Sequence, residues 1–359
     1  MRTVATKKLL IILGVALLIL GTSIGWALAF LWYEPAKKLA AVDFAAAVWP
    51  EADVAAILAQ TEGYVADMAE AEGLLLASIA TAQEEDAKVN QQLAELAKAA
   101  KSNKNLSMSV YEEMIVERLG EAIYTHSGTN SEIQIFELEK EDMRGYMAKI
   151  KLKTNNALKI VLAPENATSG ETTLSAIKRT EAVLGINGGG FGTSGGKQTP
   201  LGNTMIEGEL INDFLASWND LAFVGFTKNN KLVGGIYDTE KELLASGAYQ
   251  GVSFVPVLIQ DWEAAKVPSK WANAKQPRTV LGQYPNGDIF FIVVDGRQST
   301  WSNGITLEEM QVLLLRLGVM EAYNLDGGGS STFVYNNKVL NKPSDGTSRK
   351  LPTNIVIMP

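Results

Sequence analysis

Ile289–Gly304 reads IFFIVVDGRQSTWSNG: six consecutive apolar residues that stop at Asp295-Gly296 and give way to a polar loop. A short apolar run rich in aromatic and β-branched side chains, closed by a turn signal, predicts a strand. Two other stretches share the design. Ile186–Gly196 (INGGGFGTSGG) follows the apolar Val183–Ile186, and Asn324–Thr332 (NLDGGGSST) follows the end of another strand. In all three a polar residue (Asn187, Asp295 or Asp326) stands where the strand ends, with glycines after it. Glycine there lets a ligand approach the backbone and frees N–H groups for an anion. If the strands are neighbours, the three polar residues converge on one cleft. Taken singly, each loop also reads as a tight turn with an Asp or Asn acceptor.

Working outward, period and turn signals place further strands at Ile133–Leu138, Tyr146–Leu152, Leu158–Leu162, Leu221–Phe226, Lys231–Ile236, Phe254–Leu258, Thr279–Gln283, Ser331–Tyr335 and Asn354–Ile357. Helices are few. Thr173–Glu181 and Val110–Ile123 read as short ones, and Leu307–Leu317 is entered at Thr306 with Glu309 three residues on, the pattern of a capping box. Residues 106–359 therefore form an α+β body dominated by strands.

Composition removes several chemistries. The 359 residues include one histidine, His126, in the loop-like THSGTN, and no cysteine, so thiol nucleophiles, zinc-thiolate sites and multi-histidine metal centres are excluded. The first 38 residues hold five of the 32 basic side chains and one of the 40 acidic ones, leaving 27 and 39 in the rest. So acidic a body predicts no nucleic-acid partner. The glycine loops lack the Gly-Lys-Ser/Thr ending of a P-loop, and the two S-x-x-K patterns, at Ser175 and Ser194, have none of the partner motifs of a β-lactamase. No EF-hand spacing is present; the sequence requires no cofactor and leaves Ca²⁺ or Mg²⁺ open.

Ahead of the body, Leu9–Tyr33 runs 25 residues without a charge behind Arg2, Lys7 and Lys8. That suffices to span a bilayer with the N-terminus cytoplasmic and the body outside. Ala27-Leu28-Ala29 offers the alternative of a cleaved signal segment and a secreted body. Residues 34–105 follow, with an Ala- and Glu-rich helix from Pro50 to Lys101 whose heptad seam fits a stalk, as a coiled coil or a helix packed on the body, and a route to a homo-oligomer. Domains are thus expected at 1–33, 34–105 and 106–359.

Five ordered stretches, INGGGF (Ile186–Phe191), VVDGR (Val293–Arg297), GITLEEM (Gly304–Met310), NLDGGGSST (Asn324–Thr332) and NKPSDGTSRKLPTNIVI from Asn341, resemble the phosphodiester glycosidase family. The resemblance covers roughly the last 180 residues and excludes the anchor and the stalk. Gly190 stands where many relatives carry a second aromatic.

The resemblance implies hydrolysis of a sugar-1-phosphodiester at the anomeric C–O bond, on envelope or exopolysaccharide glycans. Asp326, Asp295 and Glu309 are the carboxylates within matching motifs and the catalytic candidates, Asp326 foremost; Glu309 equally fits a helix cap. Arg278, Arg297 and Arg349 are the candidates for the phosphate, since a guanidinium fork holds phosphate oxygens bidentately. Asn187 and Asn324 would orient sugar hydroxyls or phosphate oxygens, and Gly188, Gly189, Gly327, Gly328 and Ser330 would line the substrate. A non-catalytic, membrane-anchored glycan-binding or assembly module is the alternative.

Overall fold

The computed structural model describes residues 112–113, 115–164, 170–217, 220–271 and 273–359, with six helical positions before them, Gly73, Leu74, Ala77, Glu84, Lys88 and Gln91. The Leu9–Tyr33 run, its cleavage motif and most of the expected stalk lie outside these residues. Among the described residues no helix is long and apolar enough to cross a membrane. Among those six positions, Glu84 and Lys88 form an exposed i,i+4 ion pair at 2.8 Å.

The body is built around Ile289–Val294, which is buried along its whole length. Its alternate side chains enter different cores. Ile289, Phe291 and Val293 join one apolar cluster and Phe290, Ile292 and Val294 another, which is why a strand with two buried faces carries no polar alternation. It lies inside an eight-stranded antiparallel sheet, flanked by Met143–Leu152 on one side and Arg278–Gln283 on the other, with Glu321–Leu325 next.

One face of this sheet packs on two five-stranded sheets. Ile160, Ile186, Phe333 and Ile355 of one, and Val224, Phe226 and Val252 of the other, fill the first core together with Leu281 and Tyr323. The opposite face is covered by the helix Leu307–Arg316 through Leu307, Met310 and Leu314, and by Ile115. The outer faces of the two smaller sheets have their own helices. Thr173–Thr180 packs Ile177 against Val334 and Val356, and Glu240–Ala245 packs Leu243 against Met205 and Phe223.

The expected capping box forms at Thr306 with Glu309, and a second one, at Thr239 with Glu242, opens the helix Glu240–Ala245. The Val110–Ile123 helix ends early. Positions 112–113 and 115–119 are helical, Gly120 takes φ +76° and Ile123 N–H already bonds the Ile135 carbonyl. His126 is therefore not in a loop but in the edge strand Tyr124–Ser127, paired with Ser131–Lys140. The expected Phe254–Leu258 strand is two strands, Ala248–Phe254 and Val257–Gln260, separated at the cis Val255-Pro256 peptide. Gly192–Gly196, read as loop, belongs to a hairpin, Phe191–Ser194 with Lys197–Pro200. Gly195 and Gly196 take positive φ in its two-residue turn, which glycine adopts without strain.

Lys149 ties the helical segment at the start of the body to the central sheet. Its ammonium, 5% exposed, lies 2.6 Å from both the buried Asp288 and the Glu112 carboxylate. Lys149→Met leaves Asp288 buried with no cation, which is expected to cost about 3 kcal/mol or more. Thermal unfolding of this variant beside Lys149→Met/Asp288→Asn measures it, the second change recovering much of the loss.

Candidate active site

Strand pairing assembles the site at one end of the central sheet. Arg278 pairs with Val294 and Thr279 with Leu325, so the chain enters one strand where two others leave for Asp295 and Asp326. Asn187 arrives from the adjoining sheet, opposite Asn354. It joins the two sheets through its side chain: Oδ1 accepts the Thr279 hydroxyl at 2.7 Å and the Thr332 N–H at 3.2 Å, while Nδ2 donates to the Asp326 carbonyl at 2.6 Å.

Beside this junction lies a cleft of about 480 Å³, bounded by Asp326, Asn324, Arg278, Arg297, Arg349 and Gly327–Gly329, with Phe254, Trp271 and Gln276 on its other walls. Burial pushes the Asp326 carboxyl up to about 6, against the opposing pull of its Ser330 hydrogen bond, the Arg349 charge and the Gly327 N–H. The glycines are there for clearance. A Cβ at Gly327 would meet the Pro277 carbonyl at 2.8 Å, and Gly328, at φ +59°, lies against the Arg297 guanidinium.

The arginines differ in how they are held. Arg278 is 7% exposed and bonds only carbonyls, Ala274 at 2.9 Å and Ile305 at 3.4 Å. Burial, partly offset by the field of Glu308, pushes its guanidinium down to about 10, so it stays charged at neutral pH. Arg297, at φ +61°, donates to Gln276 Oε1 at 2.7 Å. Among the described residues neither has a carboxylate at ion-pair distance, whereas Arg349 is paired with Asp345 at 2.6 Å. Two cationic groups thus face the cleft without a counter-ion.

A family model for phosphodiester glycosidase matches residues 180–358. This part of the chain belongs to the phosphodiester glycosidase family. A prophage-derived uncharacterized protein of Bacillus subtilis, YomE, is 34% identical over 196 residues, covering 53% of this chain and 30% of that protein. The human N-acetylglucosamine-1-phosphodiester alpha-N-acetylglucosaminidase is 31% identical over 199 residues, covering 51% and 37%. The chain thus spans about a third of the length of these relatives. The catalytic domain of the zebrafish enzyme of that name, solved auto-inhibited by its pro-peptide, shares the fold, with TM-score 0.55 and 23% identity over 67% of this chain and 87% of that one. The strands before residue 180 lie outside the family match yet complete its sheets, since Leu158–Leu162 pairs with Thr353–Ile357 and Met143–Leu152 with Ile289–Val294.

Within the phosphodiester glycosidase domain the motif carboxylates part company, and the expected convergence of their side chains on one cleft is corrected. Asp295 is 1% exposed and not on the cleft wall. It accepts Trp301 Nε1 at 2.9 Å, Asn341 Nδ2 at 2.9 Å and Lys342 N–H at 3.0 Å, which fastens two loops together. Burial raises its pKa, and those three donors oppose the shift. Glu309 is half-exposed, accepts the Thr306 N–H as a cap and lies 3.8 Å from Lys275, outside the cleft. Asn187, Gly188 and Gly189 are packed beneath the cleft; a Cβ on Gly189 would meet the Ser253 carbonyl at 2.8 Å.

Asn324 lines the cleft and donates Nδ2 to the Val255 carbonyl at 2.7 Å, leaving its buried Oδ1 without a partner among the described residues. Ser330 is fully buried between Asp326 and Arg349. Trp271, whose buried Nε1 is likewise unpartnered, and Gln276 went unnoticed in the sequence. Their stretch, KWANAKQPR, has neither the glycines nor the strand period that mark the other walls. Among the described residues no group of three or more His, Asp or Glu side chains is arranged to hold a metal ion.

Proposed function

We propose that this chain hydrolyses a sugar-1-phosphodiester at its glycosidic C–O bond, with Asp326 serving the anomeric carbon and Arg278 and Arg297 holding the phosphate. The observation that carries the reading is a cleft lined by one carboxylate and by two guanidiniums that, among the described residues, have no carboxylate at ion-pair distance. An ordinary glycosidase needs a second carboxyl to protonate a sugar hydroxyl as it leaves. A phosphate leaving group, with a second pKa of about 6, needs far less proton donation and more positive charge. In the reaction the C–O bond breaks with its electron pair passing to the phosphate oxygen, beside Arg278 and Arg297. Asp326, as nucleophile or as base to water, supplies the negative charge that an oxocarbenium-like transition state requires. Water's oxygen ends on the sugar and its proton passes through the carboxylate to solvent. Asn324 Oδ1 and Trp271 offer an acceptor and a stacking face to the sugar ring.

The relatives' name directs attention first to α-linked N-acetylglucosamine. The charge-free Leu9–Tyr33 run supports action outside the cytoplasm, on envelope or exopolysaccharide material. A panel of α- and β-linked sugar-1-phosphodiesters, assayed for free sugar, tests the reading. Turnover of at least one member is expected, and no turnover on any by a folded chain would reject it.

The pH dependence follows from Asp326. Because the ionised carboxylate is the working form and its pKa is about 6, kcat/KM is expected to fall about tenfold per pH unit below that value and to level off above it. A pH profile on a substrate that keeps one charge throughout checks this.

A further inference from the structure

Asp345, in the closing segment, reaches the cleft through Arg349. Its Oδ2 accepts Arg349 Nη2 at 2.6 Å and Nε at 3.2 Å. That pose turns Nη1 toward the Ser330 hydroxyl, 3.4 Å away, and Ser330 in turn hydrogen-bonds the Asp326 carboxylate. Gly329 permits the approach, since a Cβ there would run into both the Asp345 carboxylate and the Arg349 guanidinium. Four side chains thus run in line from Asp345 through Arg349 and Ser330 to Asp326. The other charged groups on the cleft are Arg278, Arg297 and Lys270, the last lying 4.0 Å from Asp220.

We propose that Asp345 is a positioning residue of this cleft: it pins Arg349 against Ser330 and cancels part of its charge, and so sets how much positive charge Asp326 and an incoming anion feel. The inference rests on the reading of the cleft as a phosphodiester site, and its test needs no turnover, so the two can fail separately. Asp345→Asn keeps an oxygen for Nη2 while removing the negative charge. Arg349 then acts at full strength on both Asp326 and the ligand.

The experiment is calorimetric titration of sulfate, whose charge is constant between about pH 5 and 8, into the full-length chain and into Asp345→Asn, with Asp326→Asn as the control that removes the titrating carboxylate. In the parent chain sulfate affinity should climb on acidification through about pH 6, as Asp326 loses its charge, and the Asp326→Asn curve should be flat. Asp345→Asn is expected to bind sulfate about fivefold more tightly at pH 7 and to move the inflection down by about half a unit or more. An affinity within twofold of the parent with an unmoved inflection, or a weaker affinity, in a folded Asp345→Asn overturns the proposal. Absence of sulfate binding by the parent chain overturns it together with the phosphodiester reading. The expected shifts in a chain that cleaves no sugar phosphodiester keep the role of Asp345 and remove the hydrolase.

Discussion

Asp326→Asn is expected to lower kcat by about three to four orders of magnitude while leaving substrate affinity almost intact. The amide matches the carboxylate in shape, so its bond with Ser330 and the Gly327 contact can persist, but it can neither take a proton nor stabilise a cationic sugar. Stability should not fall with activity. A carboxyl whose pKa is raised on folding, here to about 6, favours the folded state less and less as pH rises from about 4, the unfolded value, through the folded one. Asparagine escapes that loss. A melting temperature at pH 7 equal to or above the parent's, beside the fall in kcat, separates a lost catalytic group from a damaged fold.

Arg278→Met should separate function from stability in the same direction. The guanidinium is buried, bonds only carbonyl oxygens and has no carboxylate at ion-pair distance among the described residues, an arrangement that costs folding energy and gains only when an anion arrives. Loss of charge-assisted bonds to phosphate is expected to reduce kcat/KM by about two orders of magnitude. Methionine of similar length removes the desolvation penalty, and the melting temperature is expected to rise by about 2–4 °C for each kcal/mol recovered. A variant that loses stability as well as activity would instead mark Arg278 as a structural strut between the Ala274 and Ile305 carbonyls. Added sulfate should raise the parent's melting temperature more than that of Arg278→Met.

Much of the central sheet was readable because burial on both faces writes itself as unbroken apolar runs, as in Ile289–Val294. The capping pattern at Thr306 and Glu309 was equally local and formed as spelled. What escaped is held by partners rather than by its own side chains. The edge strand Tyr124–Ser127 is polar and largely exposed, defined by its pairing with Ser131–Lys140. Of Glu321–Leu325 (EAYNL), with two polar residues in five, only the end was legible; it is a strand because Arg278–Gln283 and Val257–Gln260 pair with it on either side. The site divided along the same line. The arginines came from the family resemblance, and the glycine run after Asp326 marked one wall of the cleft, since backbone clearance leaves a mark in sequence. Which way a carboxylate points does not: Asp295 and Asp326 occupy equivalent places after the two strands that flank Arg278–Gln283, yet one fastens Trp301, Asn341 and Lys342 while the other lines the cleft.

The most direct test of the account is to run the hydrolysis of a cleaved sugar-1-phosphodiester in water enriched in heavy oxygen and to weigh the phosphate product, whose oxygens do not exchange on the time scale of the assay. Attack at the anomeric carbon, with Asp326 beside the sugar and the arginines on the leaving phosphate, predicts a phosphate monoester free of label. Label in that phosphate would mean that water attacks phosphorus, and would contradict the assignment of Asp326 and the arginines alike.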